Sequence, residues 1–181
     1  MRLDPSTTLV AFVDIQERLI TAVPAAQGVL TRAIRLARAA RLLDATAVLT
    51  EQYPKGLGPT PPDLASLLPP AHTKTAFSCC GCDAFAALVD APPRTVDAVV
   101  LCGLETHVCI AQTALDLLAC GQRVFIAADA VASRHTIDHE IALRRLESAG
   151  AVLTTTEAIL FEWLREAAHP QFKAVQKLVL E

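Results

Sequence analysis

Cys109 lies in the octapeptide GLETHVCI (103–110), directly after an apolar run, DAVVLCG (97–103), and directly before a helical pattern, AQTALDLLACG. With Thr106 as the N-cap, Cys109 is the third residue of a helix, where unpaired amide groups and the helix dipole favour the thiolate over the thiol. The chemistry on offer there is nucleophilic attack. The same residue also fits as a small core side chain, and Cys102 and Cys120 fit that reading better still. Asp14 ends the run TLVAFVD (8–14), where a half-buried carboxylate needs a cation or a hydrogen-bond donor, unless it serves as the N-cap of the next helix. Lys74 closes the weaker run HTKT (72–75) between two threonines. Taken alone, it also reads as a surface lysine.

The remaining reactive residues make weaker patterns. Cys79 and Cys82 in FSCCGC have C-x-x-C spacing before a helix, the arrangement of a redox pair or half a zinc site, but no second pair with metal-ligand spacing accompanies them. His72 and His107 have no partner at ligand spacing and read as polar residues lining a pocket or the surface. His135 and His139 stand four apart without the glutamate of H-E-x-x-H, and read as helix-surface histidines. Asp129, in AADAVASR, reads as a cap or brace for the loop that follows. Neither a Walker nor a dinucleotide glycine loop occurs, so an α/β fold need not imply a nucleotide.

The elements that must position these residues alternate in kind. Apolar runs at 8–14, 46–50, 72–75, 97–103, 123–129 and 150–156 are separated by helical patterns, the mark of βαβ units and of a three-layer αβα sandwich around a six-stranded sheet. In such a sheet ligands gather at the carboxyl ends of the strands, where strand order reverses. The first long helix is expected to turn Leu30, Ile34, Ala37 and Leu42 inward, and further helices are expected at 83–91, 106–121, 138–150, 156–167 and near the C-terminus. The proline-rich stretch 51–70 reads as an ordered loop over the carboxyl edge of the sheet.

The totals set outer limits. The 181 residues suit a single domain, 1–181, and a composition 52% hydrophobic but 4% aromatic suits a core of Ala, Val, Leu and Ile between helices and a parallel sheet. A net charge of −3 without a basic cluster argues against a nucleic-acid partner. The N-terminus lacks the pattern of a signal peptide or a membrane span, so a cytoplasmic location with thiols rather than disulfides is expected. A mean hydropathy of +0.39 suggests extra apolar surface and thus a homo-oligomer.

Asp14, Lys74 and Cys109, in that order and with Cys109 inside GLETHVCI, resemble the Asp-Lys-Cys triad of the isochorismatase-like cysteine hydrolases. TEQYPKGLGPT (50–60), KTAFS (74–78), QTALDLL (112–118), ADAVASR (128–134) and LTTTEAILFEWL (153–164) extend the resemblance from Thr8 to the C-terminus, toward the branch of isochorismatase domain-containing proteins. The resemblance implies a Rossmann-like sheet of order 3-2-1-4-5-6, a non-proline cis peptide at Leu104-Glu105, and an oxyanion hole from the backbone N–H groups of Glu105 and Cys109. It implies hydrolysis of a C–N bond in a small amide or related acyl compound. Candidate wall residues of the pocket are Glu51, Gln52, Tyr53, Phe77 and His107. No cofactor is implied, and Glu51-Gln52-Tyr53 stands where nicotinamidases carry a metal-binding Asp-x-His, so no metal is expected. Other readings stay open: vinyl-ether hydrolysis with Asp14 as the acid, an idle oligomeric scaffold, and redox exchange at Cys79 and Cys82.

Overall fold

A computed structural model describes residues 2–90 and 96–180. Six strands, β1 Thr8–Val13, β2 Thr46–Gln52, β3 His72–Lys74, β4 Ala98–Leu104, β5 Arg123–Ala132 and β6 Val152–Thr154, form one parallel sheet of order 3-2-1-4-5-6. Every residue of β1 and β4 is buried, as befits central strands covered on both faces. The two-residue period of a strand divides them between two cores. Val10, Phe12, Val100 and Cys102 face one side, and Leu9, Ala11, Val13, Val99 and Leu101 face the other.

Nine helices are seen among the described residues: α1 Glu17–Ala22, α2 Ala26–Leu42, α3 Pro54–Leu57, α4 Pro62–Ala65, α5 Asp83–Asp90, α6 Ala111–Ala119, α7 Thr136–Ser148, α8 Thr156–Leu164 and α9 Phe172–Leu180. Side chains of α2, α8 and α9 fill the first core, and those of α5, α6 and α7 the second. Ala91 and Glu181, the last residues of two expected helices, lie outside the described residues.

Three local expectations are corrected. The buried residues of α2 are Ala26, Val29, Ala33, Leu36, Ala37, Ala39 and Ala40, whereas Leu30 and Ile34 are half-buried and Leu42 is exposed. Small side chains face inward because the helix lies close over the sheet. Residues 51–70 contain α3 and α4 rather than loop alone, each opened by prolines that suit a first helical turn. Strand β5 runs on past Asp129, and its pairing with β4 jumps from Leu101↔Ile126 to Gly103↔Val131. This bulge turns Asp129 out of the ladder, where its carboxylate accepts from Thr156 N at 2.8 Å and Thr156 Oγ1 at 2.7 Å. Asp129 therefore braces the start of α8, and Arg32 Nε completes the contact at 3.0 Å.

Near the strand ends Gly103 lies against the backbone of β1. Its φ is +147°, and a Cβ there would stand 2.0 Å from Val13 O on the neighbouring β1. Gly103→Ala is thus expected to destabilise the protein by about 3 kcal/mol through backbone displacement and strain. Denaturant unfolding checks it, and a loss below about 1 kcal/mol would show that β1 and β4 can separate here without cost.

Candidate active site

The chain leaves three adjacent strands through non-glycine residues in the left-handed region: Asp14 after β1 (φ 53°), Tyr53 after β2 (φ 38°) and Glu105 after β4 (φ 61°). Each costs about 1–2 kcal/mol relative to right-handed backbone, and such strain tends to cluster where side chains must be aimed. Here the strand ends surround the point at which strand order reverses, between β1 and β4.

Asp14 is fully buried at that point. Its Oδ2 accepts from Lys74 Nζ at 2.7 Å, its Oδ1 accepts from Thr50 Oγ1 at 2.9 Å, and its N–H donates to Thr50 O at 3.2 Å. Asp14 is therefore not spent as a helix cap; the N-cap of α1 is Gln16. Lys74 is no surface lysine either. Its buried ammonium has Asp14 Oδ2, Gln52 Oε1 (2.9 Å), Phe77 O (3.0 Å) and Ala76 O (3.3 Å) within reach, more acceptors than its three N–H bonds can serve. An ammonium so committed acts on Asp14 and has no proton left to offer a ligand.

Cys109 sits in a π-helical turn, Thr106–Ile110, inserted between β4 and α6. This corrects the expected cap: Glu105 is the N-cap, and Thr106 lies inside the first turn. Wide turns of this kind recur at functional sites because the extra residue re-aims a side chain. The Cys109 thiol is 5% exposed and lies within the field of the Asp14–Lys74 pair. Burial pushes it well up from the ordinary thiol range, the Asp14 charge pushes the same way, and Lys74 opposes both. Burial therefore works against the thiolate that the helix start was expected to favour.

A second thiol stands beside it. Cys79 is buried, with its Sγ 3.7 Å from Thr50 Oγ1, and Thr113 Oγ1 links the two cysteines by donating to Cys109 O at 2.7 Å and accepting from Cys79 N at 2.9 Å. Cys79 and Cys82 flank a short 3-10 turn, and both are free thiols. Cys79 faces the site, while Cys82 lines an open cleft of about 540 Å³ together with Tyr53, Pro54, Thr73, Lys74 and Thr75.

The other candidate residues divide between framework and rim. Glu51 Oε1 accepts from Thr60 N at 2.7 Å and so anchors the 51–70 segment. Gln52 braces Lys74 and donates from Nε2 to Thr75 O at 2.8 Å. Tyr53 and Phe77 are 55% and 52% exposed near Lys74. His107 contacts Ser133 Oγ through Nδ1 at 3.1 Å, with Nε2 3.8 Å from Glu105 Oε2 and 3.9 Å from Asp138 Oδ2. The Glu105 carboxylate is held by Arg134, from its backbone N at 3.1 Å and its Nε at 3.2 Å. His139 is more than a surface histidine: its Nδ1 is 2.9 Å from Thr106 Oγ1 and ties α7 to the π turn.

Sequence reasoning missed Thr50 and Gln16. Gln16 accepts from Gln52 N at 2.8 Å and donates to Gly58 O at 2.6 Å and Gln52 O at 3.1 Å, stitching the ends of β1 and β2 to the segment above them. The signal for Thr50 was only its place at the end of an apolar run.

Three comparisons show what the chain is similar to. The isochorismatase domain family matches residues 7–158. Isochorismatase domain-containing protein 2 of Bos taurus is 43% identical over 180 residues, covering 99% of this chain and 86% of that protein. Among solved structures, the MAR1 ribonuclease of Caenorhabditis elegans is 39% identical, with coverage of 100% of this chain and 93% of that one at a TM-score of 0.90. YcaC from Pseudomonas aeruginosa, solved with hexane-2,5-diol and covalent acrylamide, is 26% identical, with coverage of 98% and 91% at a TM-score of 0.88.

Proposed function

The chain belongs to the isochorismatase family, an isochorismatase-like hydrolase by descent, and from that premise we propose that it hydrolyses a C–N bond of a small amide or related acyl compound through a Cys109 thioester. One observation carries the reading: a fully buried carboxylate, paired with a lysine at 2.7 Å, whose charge acts on the buried Cys109 thiol.

In this mechanism the Cys109 proton passes to Asp14 as the sulfur attacks the substrate carbonyl, so the thiolate never accumulates in the resting protein. The backbone N–H groups of Glu105 and Cys109 receive the developing oxyanion, an interaction worth about 3–4 kcal/mol in comparable sites. Asp14 then gives its proton to the departing amine, and the carbonyl re-forms as a thioester. Water enters, Asp14 takes its proton, and collapse of the second tetrahedral adduct releases the acid and returns the thiol. Lys74 offsets the charge on Asp14 through their 2.7 Å contact.

Residues 1–181 act in this reading as one hydrolase domain that takes a small molecule past Tyr53, Phe77 and His107, while Glu51 and Gln52 shape the wall through their hold on the loop and Lys74. Exposed Ile137, Ile141 and Phe161 support a homo-oligomer. Six free cysteines support a cytoplasmic location, and no helix among the described residues is long and apolar enough to cross a membrane.

Release of ammonia or acid from a panel of small amides, carbamates and N-acyl compounds tests the proposal, with Cys109→Ala and Asp14→Ala beside the wild type. Turnover that needs both residues supports it. Turnover kept in Cys109→Ala but lost in Asp14→Ala would replace it with ether hydrolysis by acid catalysis. RNA cleavage that survives Cys109→Ala, with the amide panel inert, would replace it with a nuclease.

A further inference from the structure

Thr50 stands where β2 passes the end of β1, and it grips Asp14 twice. Its carbonyl accepts from the Asp14 N–H at 3.2 Å, which helps hold that residue in the left-handed region. Its fully buried hydroxyl meets Asp14 Oδ1 at 2.9 Å, while Lys74 Nζ occupies Oδ2 at 2.7 Å. A carboxylate held at a single oxygen can swing about its Cβ–Cγ bond, since that torsion is broad. Held at both oxygens, it has one orientation.

The direction of the Thr50 bond is also set. An ionised carboxylate can only accept, so the single hydroxyl proton points to Oδ1. The other neighbour of the hydroxyl is Cys79 Sγ at 3.7 Å, and burial pushes that thiol up to about 11, so at neutral pH it keeps its proton. A thiol sulfur is only a weak acceptor, so the carboxylate takes the Thr50 proton.

We propose that Thr50 is a positioning residue for the reaction: its hydroxyl locks the Asp14 carboxylate so that a free lone pair faces the Cys109 thiol. This rests on the reading of Asp14 as the base toward Cys109. Thr50 touches neither the substrate nor the reacting sulfur in this role. Its effect passes through Asp14.

The test is alkylation of Cys109 by acrylamide near neutral pH, followed residue by residue by mass spectrometry in the intact protein. The comparison sets Thr50→Val, Thr50→Ser and Asp14→Asn against the wild type. Exposed Cys120 serves as an internal standard, and fully buried Cys102 reports unfolding when it becomes labelled. Valine keeps the shape of threonine but removes the donor, and loss of a hydrogen bond to a charged group should slow Cys109 roughly 10- to 100-fold. Thr50→Ser should keep most of the wild-type rate, because the hydroxyl rather than the methyl group does the positioning. If Thr50→Val exposes Cys102, Thr50→Ala takes its place under the same criteria.

A wild-type rate in Thr50→Val, or a Thr50→Ser variant as slow as Thr50→Val, overturns the role of Thr50 while a slow Asp14→Asn leaves the base intact. A fast Asp14→Asn overturns the base itself, and Thr50 with it. The two failures are therefore distinct.

Discussion

Cys109→Ala is expected to lower turnover of whichever amide the wild type hydrolyses by about 10⁴-fold or more, with KM little changed. The magnitude follows from how triads behave: removing the nucleophile removes covalent catalysis entirely, and what remains is the modest acceleration left by binding and the oxyanion donors. The thermal midpoint should move little, since Cys109 sits at the edge of the second core near the strand ends and an alanine there leaves only a sulfur-sized gap. Steady-state kinetics beside a melting curve separate the two effects. A variant that keeps more than about a hundredth of the activity would mean that the thiol is not the nucleophile. Cys79→Ala is the natural companion, because that thiol also lies beside the Thr50–Asp14 pair and could stand in for the first. It should leave turnover within about tenfold of the wild type, as befits a residue whose thiol is a neighbour of the site and not its nucleophile.

Lys74→Met is the second large effect, and it falls on stability as well as on rate. Asp14 and Lys74 are a buried pair whose side chains are essentially out of solvent, 2.7 Å apart. Removing the ammonium strands the carboxylate and also the acceptors on Gln52 and Phe77, which Lys74 satisfies at 2.9 Å and 3.0 Å. Breaking one partner of such a pair costs about 3–5 kcal/mol. For a chain of this size that corresponds to a fall of roughly 6–20 °C in the thermal midpoint. The double variant Asp14→Asn, Lys74→Met should recover a good part of the loss, because no buried charge is then left alone, yet it should remain inactive. Activity and stability thus part company. A single variant that melts within about 3 °C of the wild type would show that water or another donor reaches Asp14 once the lysine is gone.

The alternation of apolar runs with helical patterns was enough to place six strands and most of the helices, because burial on both faces leaves a continuous apolar signature in strands such as AVVLCGL. The strand order came instead through resemblance to a family. Periodicity says which residues are buried but not which strand neighbours which. Asp14, Lys74 and Cys109 were each ambiguous alone, and their agreement in order and context made them a candidate triad.

Tertiary structure decided what depends on distance across the fold. Thr50 and Asp14 are 36 residues apart, and Lys74 and Asp14 are 60 apart, so no local pattern could show that two donors clamp the two oxygens of one carboxylate. The same holds for Cys79, read from spacing as half of a C-x-x-C pair and found facing Thr50. It holds again for Cys109, whose position at a helix start suggested a thiolate, while its enclosure by neighbouring elements pushes the thiol up. Chain-local signals report backbone geometry and the exposure of a face. Protonation and the partner of a buried polar atom are set by groups that arrive from elsewhere in the chain, because desolvation and hydrogen bonding act through space.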